Sequence, residues 1–237
     1  MSRIFGIHAV QMALTAGQGT RLIVREGKLN PRQAQLLELA HECGCEVVRG
    51  EIASGSNLAD QGVALEIRTP VLRTEKELKD QVQESENPLY LVLDGVTDPR
   101  NFGACLRTAV SFGVTGVIVP KDNSAPLNDA AIKTASGAAS LVPVFQVVNL
   151  SRCLETLKKA NIWVVGAILG ADQNLADVDL KGGIALVMGS EDAGIRQKTR
   201  EKCDFLAEIP TSGPELSLNV SVATGICLYE AFLQRSA

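Results

Sequence analysis

The spacing of hydrophobic residues divides the chain into a short N-terminal part and a longer C-terminal part. In the first 70 residues, a helical stripe is flanked by three apolar runs of strand length, at residues 22–24, 47–48 and 63–67. The stripe follows Asn30 and Pro31, a capping residue and a proline of the first helical turn, and it ends at Gly44. This pattern predicts a small α/β domain over residues 1–70.

A polar segment at residues 71–87 follows this part of the chain. It contains three basic and five acidic residues, and so few apolar ones that it can bury little surface. We therefore expect a linker there, with room for a short helix.

Beyond Pro88, apolar runs of strand length alternate with helical patterns, and the runs lie at residues 89–93, 117–119, 162–165 and 185–188. Such alternation is typical of a mostly parallel sheet covered by helices, so residues 88–237 are predicted to form a larger α/β domain.

The last predicted helix, from Ser217 to about residue 234, is apolar on more than one face. One stripe contains Leu218, Val222 and Ile226, and the other contains Val220, Cys227, Leu228 and Phe232. Burial within the domain accounts for one face, and a homodimer contact is our hypothesis for the other.

The composition is that of an ordinary globular protein, with 46% hydrophobic residues. With 23 basic and 27 acidic residues the net charge is −4, so any contact with a nucleic acid must be local.

Six cysteines without repeated metal-ligand spacing, and only two histidines, argue against a metal site. No apolar run reaches the length of a membrane span, and His8 and Gln11 interrupt the candidate signal-peptide core, so we expect a cytoplasmic protein.

Three segments place glycine or polar residues where a predicted strand ends, which is where open α/β sheets bind ligands. In the first segment, a strand ending at Asp94 leads into a turn and a helix, with Asn101 near the helix start and Arg107 six residues further on. A capped helix with a surface arginine explains this segment equally well. In the third segment, which ends at Ser217 and Asn219, an ordinary helix N-cap is the alternative interpretation.

The second segment, at residues 188–194, begins as a glycine-containing turn after a strand. Gly189 and Gly194 have the spacing of half a Walker loop, but Ile195-Arg196 stands where that loop needs lysine followed by serine or threonine, which excludes it. The glycines remain suited to the close approach of a ligand to the backbone, with Glu191 beside them.

Taken together and in chain order, the three segments resemble the signature motifs of the SpoU (TrmH) family of RNA ribose 2′-O-methyltransferases. The matching residues are Asn101-Phe102-Gly103 with Arg107, Met188-Gly189-Ser190-Glu191, and Ile209-Pro210 followed by Ser217-Leu218-Asn219-Val220-Ser221. The similarity extends over nearly the whole chain and is weakest at about residues 50–60 and in the expected linker. It implies a small ribosomal-protein-like domain for RNA, followed by a catalytic α/β domain of the SPOUT type with a C-terminal trefoil knot.

The resemblance also implies an activity, the S-adenosylmethionine-dependent methylation of a ribose 2′-hydroxyl. The three motifs are shared by family members that act on ribosomal and on transfer RNA, and the resemblance of the N-terminal part, including Gly6-Ile7-His8-Ala9-Val10, implies a guanosine of 23S (large-subunit) ribosomal RNA as the target. The implied partners are this RNA or a precursor of the large subunit, and a second copy of the chain. The cofactor is expected against backbone groups near Gly189, Ile209 and Leu218, and no metal is required. The residues implied to surround the reacting ribose are Asn101, Arg107, Glu191, Ser217 and Asn219.

Proton removal is the step for which the motifs offer no ordinary base. An arginine stays protonated, so we expect Arg107 to hold an RNA phosphate and to stabilise charge on the ribose oxygen, while a phosphate or a water accepts the proton. Further phosphate contacts are expected from a local rim of basic residues, namely Arg100, Lys121, Lys133, Arg196, Lys198, Arg200 and Lys202. Two alternatives stay open: a member of the same family that methylates transfer RNA, and a non-catalytic RNA-binding or ribosome-assembly protein.

Overall fold

The computed structural model describes residues 2–52, 60–67, 70–213 and 217–236. Within the first two ranges, four strands form a sheet of order β1-β4-β2-β3. The strands are β1 (Ser2–Phe5), β2 (Gly19–Val24), β3 (Glu46–Arg49) and β4 (Val63–Ile67), and the helices are α1 (Ile7–Thr15) and α2 (Pro31–Glu42). β4 is antiparallel to β1 and β2, whereas β2 and β3 are parallel. The three strands and the helix predicted for this part are confirmed.

Helix α2 begins where the sequence predicts, because its first turn is capped from both sides. The Asn30 side-chain oxygen accepts the Gln33 backbone N–H at 2.9 Å, and the Gln33 side-chain oxygen accepts the Asn30 backbone N–H at 3.0 Å. Pro31 occupies the start of the helix, where its missing N–H costs nothing. Local sequence alone therefore determines this boundary.

The described residues of the C-terminal part form a sheet of order β7-β6-β5-β10-β8-β11-β9, and each of its strand pairings is parallel. The strands are β5 (Leu89–Asp94), β6 (Gly116–Pro120), β7 (Val144–Val147), β8 (Trp163–Ala167), β9 (Gln173–Asn174), β10 (Ile184–Gly189) and β11 (Phe205–Glu208). The predicted mostly parallel sheet is confirmed. β10 lies between β5 and β8, which both precede it in the chain.

Helices cover both faces of this sheet. One face carries α4 (Pro99–Ser111), α5 (Asp129–Ala135) and α8 (Val220–Ser236), and the other carries α3 (Glu75–Glu84) and α6 (Leu150–Lys159), while the short α7 (Gln197–Arg200) follows β10. Leu91 and Val117 point into the first layer, and Tyr90 and Ile118 into the second. Strands that are buried on both faces need continuous apolar runs, which explains the pattern seen in the sequence.

Helix α3 occupies most of the segment predicted to be a linker. Thr74 caps it by accepting the Glu77 backbone N–H at 3.3 Å, while the Glu77 side chain accepts the Thr74 N–H at 2.7 Å. Leu78 and Val82, one helical turn apart, are 2% and 8% exposed and pack against the larger sheet. The expectation that this segment buries little surface is therefore wrong for the inner face of α3, since two apolar residues at this spacing suffice to form a stripe.

Helix α8 begins at Val220 rather than at Ser217, so the predicted start is three residues early. Its inner face is buried and contains Val220, Cys227, Leu228 and Ala231, whereas its outer face exposes Val222, Ile226, Tyr229, Phe232 and Leu233. Two apolar faces are therefore confirmed, although Phe232 lies on the outer one. Apolar as it is, neither α8 nor another helix in the described ranges is long and apolar enough to cross a membrane.

Candidate active site

A cavity of about 490 Å³ opens at the carboxyl ends of strands β8, β10 and β11. Three stretches of chain form most of its wall: residues 167–169, residues 188–195, and Ile209, Thr211, Ser217, Leu218, Val220 and Ala223. Parallel sheets bind ligands at this edge, and sites for small molecules typically enclose about 300–1,000 Å³. The second and third of the predicted segments therefore line one ligand-sized cavity.

A tight turn after β10 closes one side of this cavity. Ser190 and Gly194 each donate their backbone N–H to the other's carbonyl, at 3.1 and 3.0 Å, and Ser190 Oγ accepts the Ala193 N–H at 3.1 Å. A Cβ on Gly189 would lie 2.1 Å from the Gly194 carbonyl carbon and 2.2 Å from the Ile195 nitrogen. The close approach that Gly189 permits is therefore made first of all by the protein's own backbone, and the sequence interpretation, which assigned it to a ligand, missed this contact.

The carboxylate of Glu191 joins polar residues from all three segments beside the cavity. Its Oε1 accepts hydrogen bonds from Asn101 Nδ2 at 2.9 Å, from the Val220 backbone N–H at 3.3 Å, and from Asn219 Nδ2. Asn219 Nδ2 also lies 3.1 Å from Asn101 Oδ1. An ionised carboxylate only accepts hydrogen bonds, so it holds both amides with their nitrogens turned toward it. We refer to Asn101, Glu191 and Asn219 as the Glu191 cluster.

Asn219 takes part in this cluster and caps helix α8 at the same time. Its Oδ1 accepts the Ser221 backbone N–H at 2.9 Å, while its Nδ2 contacts Glu191. The N-cap interpretation and the functional one are thus compatible at Asn219. In helix α4 the cap is Asp98, which accepts the Arg100 backbone N–H at 3.0 Å, so the Asn101 side chain contacts Glu191 from within the first turn.

The remaining predicted site residues divide into two groups. Gly189, Ile209, Leu218 and Ser217 all line the cavity. Arg107, by contrast, lies exposed on α4, and within the described ranges its guanidinium makes no hydrogen bond or ion pair. The structure thus joins three of the five polar residues by hydrogen bonds, sets Ser217 beside them on the cavity wall, and leaves Arg107 without a contact to the cluster.

Several residues of the expected basic rim have other surroundings. Arg196 forms an ion pair with Asp94, a carboxylate with 0% exposure at the end of β5, and its Nη2 lies 2.5 Å from Asp94 Oδ1. Arg200 lines the cavity. Lys202 Nζ lies 2.5 Å from the Glu155 carboxylate, a contact that raises the pKa of Lys202. The only sequence signal for Asp94 is its position at a strand end. The ion pair engages one side of the Arg196 guanidinium, and the Arg196 side chain is still 41% exposed, so its expected contact with RNA stays a prediction.

The buried thiols near the cluster are not poised as nucleophiles. Burial raises the pKa of Cys105 to about 11 and that of Cys227 to about 12, so both are protonated at neutral pH. In the part of the chain that the structure describes, no group of three or more His, Cys, Asp and Glu side chains is arranged to hold a metal ion. The polar groups that the structure does bring together here are the amides of Asn101 and Asn219 and the carboxylate of Glu191.

Two stretches of the chain match known protein families. Residues 88–229 match the SpoU rRNA Methylase family, and residues 3–71 match a domain described as RNA 2′-O ribose methyltransferase substrate binding. A relative from Pseudomonas aeruginosa, named 23S rRNA (guanosine-2′-O-)-methyltransferase RlmB, is 46% identical over 240 residues, which cover 99% of this chain and 97% of the relative.

Solved structures resemble this one as well. An AdoMet-bound rRNA methyltransferase from Sinorhizobium meliloti has a TM-score of 0.72 and 25% identity, and the match covers 97% of this chain and 85% of that one. A TrmH/SpoU tRNA modifying enzyme from A. aeolicus has a TM-score of 0.58 and 31% identity, over 68% of this chain and 82% of that one.

A parallel sheet with a ligand-sized cavity and a polar cluster at its carboxyl edge is an arrangement typical of ligand-binding α/β proteins, and the S. meliloti rRNA methyltransferase shares this fold. Since the SpoU match covers more than half of the chain, the protein belongs to the SpoU rRNA methylase family.

Proposed function

We propose that this protein transfers a methyl group from S-adenosylmethionine to the ribose 2′-hydroxyl of a guanosine in 23S ribosomal RNA. The observation that carries the proposal is the relationship to the P. aeruginosa RlmB, which at 46% identity extends over 99% of this chain. The Glu191 cluster supports it, because a protein that had lost its catalytic activity would not need to keep these polar side chains together beside an open cavity.

The lining of the cavity suits this cofactor, which supplies an activated methyl group on a positively charged sulfonium. An apolar wall for the adenosyl part is available from Met188, Ile195 and Leu218. Gly189 and Ile209 line the cavity, and we assign hydrogen bonds with the cofactor to the backbone near them. Arg200 offers a cation for the cofactor's carboxylate, and Glu191 offers an anion near its positive charges.

The Glu191 cluster and Ser217 are assigned to the ribose. Methyl transfer is an in-line displacement in which the bond from the ribose oxygen to the methyl carbon forms as the carbon–sulfur bond breaks. Correct alignment of such groups contributes about 7–11 kcal/mol to lowering the barrier. The mutual hydrogen bonds of Asn101, Glu191 and Asn219 hold these side chains before the RNA arrives, so that little of this alignment has to be produced on binding.

Arg107 is assigned to the RNA phosphate and to the negative charge that develops on the ribose oxygen. Its exposed guanidinium on α4 is accessible to RNA. Because an arginine keeps its proton, the hydroxyl proton passes to a phosphate or to water. This assignment predicts that Arg107 acts on turnover more than on cofactor binding.

Further parts of the proposal concern organisation. Residues 1–70 bind the RNA, residues 71–87 connect them to the catalytic part at 88–237, and this part contains the family's trefoil knot. The match of residues 88–229 to the SpoU family supports the knot. The exposed apolar face of α8 supports a homodimer, and a ribosomal RNA substrate implies a cytoplasmic location.

The test is methyl transfer from labelled S-adenosylmethionine to unmodified 23S ribosomal RNA and, separately, to unmodified transfer RNA, with the modified position located by its nuclease-resistant dinucleotide. Label at one guanosine of the 23S RNA supports the proposal. Label on transfer RNA alone would show that the proposed ribosomal RNA substrate is wrong. Absence of cofactor binding in calorimetry would point instead to a non-catalytic RNA-binding protein.

A further inference from the structure

Asp94, fully buried at the carboxyl end of β5, holds Arg196 with both of its carboxylate oxygens. Oδ2 accepts the Arg196 backbone N–H at 3.0 Å, and Oδ1 accepts Nε at 2.6 Å and lies 2.5 Å from Nη2. Hydrogen bonds between charged groups are shorter and stronger than neutral ones. A carboxylate that binds one residue through its main chain and its side chain fixes both the position and the orientation of that residue.

The same aspartate also lies beside the other end of the turn that carries Glu191. In the pairing of β5 with β10, Asp94 is in register with Gly189. Gly95, whose φ is 81°, lies close to the start of the turn, since a Cβ added to this glycine would be 3.6 Å from the Ser190 Cβ. The turn therefore leaves the sheet next to Asp94 and returns to the Asp94 carboxylate at Arg196.

We propose that Asp94 and Arg196 are positioning residues for methyl transfer, and that their ion pair fixes the turn 190–195 so that Glu191 meets Asn101 and Asn219. This inference deepens the proposed function and rests on it. The cavity wall, as far as the described residues form it, includes neither Asp94 nor Arg196. The pair acts through Glu191, whose contacts with the two amides depend on where the turn is held.

The main variant is Arg196→Met, which removes the side-chain donors and keeps an aliphatic stem. Because a displacement of about 1 Å in a positioned group costs about 100-fold in rate, kcat on unmodified 23S RNA is expected to fall about 100-fold, while KM for the RNA changes less than about threefold. Arg196→Lys, which still donates to the carboxylate, is expected to recover at least about tenfold of this loss.

Two further readouts separate positioning from a general loss of stability. In a Glu191→Ala background, Arg196→Met is expected to lower kcat by less than about threefold, since the contact to be positioned is already absent. Amide hydrogen exchange at Ser190 and Gly194, whose N–H groups are bonded within the turn, is expected to rise at least about tenfold relative to the rest of the sheet.

A matched control exists at the opposite end of the sheet. Asp204 accepts the Val164 backbone N–H at 2.9 Å and pairs with Lys158 at 2.5 Å, so it combines a main-chain and a side-chain contact as Asp94 does. Lys158→Met is expected to leave kcat unchanged.

Equal loss of kcat from Arg196→Met in both backgrounds, or unchanged exchange in the turn, would overturn the inference. A wild-type protein that is inactive on 23S RNA would instead contradict the proposed function, and the exchange measurement would still decide whether the ion pair fixes the turn.

Discussion

Asn101 and Asn219 are 118 positions apart in the chain, yet Asn219 Nδ2 lies 3.1 Å from Asn101 Oδ1, and both side-chain amides donate to the same oxygen of Glu191. The first amide stands in the first turn of α4 and the second at the start of α8. Two helix N-termini are thus joined across the edge of the sheet through one carboxylate, whose negative charge is favourable at that place.

Asn219→Asp is expected to separate the two tasks of this residue. Aspartate keeps the capping oxygen but replaces the amide donor by an acceptor that faces Glu191, so turnover is expected to fall about 100-fold or more. Because two carboxylates would then face each other, Asn219→Asp is expected to lose stability by repulsion, and a second change, Glu191→Gln, is expected to restore it. Asn219→Ala loses the cap, which is expected to cost about 1 kcal/mol that Glu191→Gln does not restore. Single-turnover rates and urea unfolding measure the two effects. A stability loss of Asn219→Asp that persists with Glu191→Gln would contradict this division.

Arg107→Ala is expected to lower turnover by about 100- to 1,000-fold while changing the cofactor Kd less than about threefold. The reason is that Arg107 is exposed and is not among the described residues that line the cavity, so we propose that it contacts the RNA and not the cofactor. Calorimetry with S-adenosylmethionine and rapid-quench methyl transfer measure the two quantities. A parallel loss of cofactor affinity would show that the assignment to RNA is wrong.

Gly189→Ala is expected to destabilise the fold by at least about 3 kcal/mol, because its Cβ would meet backbone atoms at 2.1 and 2.2 Å. The matched control is Gly182→Ala, whose Cβ would have no neighbour within 4 Å, and it is expected to change stability by less than about 0.5 kcal/mol. Urea unfolding of both variants is the measurement. A Gly189→Ala protein as stable as the control would mean that the turn at residues 190–195 can move away from the end of β10 at little cost.

Thiol chemistry is expected to distinguish one cysteine. Burial raises the pKa of Cys105 to about 11 and those of Cys153, Cys203 and Cys227 to about 12, whereas Cys43 is exposed. Since the thiolate is the reactive form, iodoacetamide at pH 8 is expected to label Cys43 first, as peptide mass spectrometry would show. Fast labelling of Cys227 in the folded protein would contradict this.

The same pKa shifts imply a dependence of stability on pH. Folding raises the pKa of such a thiol, so between the two pKa values the folded protein keeps a proton that the unfolded chain has lost. The contribution of this thiol to the free energy of unfolding is therefore fully present below the ordinary pKa of 9.0 and is lost as the pH rises toward 12. The free energy of unfolding is therefore expected to decline above pH 9, as measured by urea titration.

Ile226→Glu is expected to convert a dimer into a monomer at micromolar concentration. Ile226 lies on the exposed apolar face of α8, where Tyr229 and Phe232 pack around the Phe112 ring at centroid distances of 5.9 Å. A carboxylate on this face would have to be desolvated in a dimer, which weakens association by at least about tenfold. Sedimentation is the measurement, and Val148→Glu, at another exposed apolar residue, is the control. A wild-type monomer would remove the dimer hypothesis.

Local signals in the sequence predict much of this fold, because they act over a few residues. The cap of α2 at Asn30 and the apolar runs of β5 and β10 are of this kind, and their positions are confirmed. The buried face of α3 is not predicted by such local signals. Leu78 and Val82 are two apolar residues in a charged segment, and only their packing against the larger sheet shows that they belong to the core.

The candidate site shows the opposite balance. The sequence motifs predict Asn101, Glu191 and Asn219 as site residues. Their mutual hydrogen bonds depend on the order of strands in the sheet, which the hydrophobic pattern of the sequence does not determine. The sequence predicts a close approach at Gly189, but the group that approaches it is the protein's own backbone at Gly194 and Ile195. The Asp94–Arg196 pair is invisible in sequence for the same reason, as 102 positions separate its members.

The place of β10 in the sheet has a consequence for synthesis. β5 and β8 leave the ribosome before the strand that separates them, so the edge of β5 stays unpaired until β10 has emerged. A prematurely terminated chain ending before Ile184 would expose an apolar edge, which invites misassociation, and would lack the turn and the helix start that complete the cavity. The complete cavity is therefore formed only after the start of α8 has been synthesised, and products that end before Ile184 are expected to be aggregation-prone substrates for proteases rather than weak enzymes.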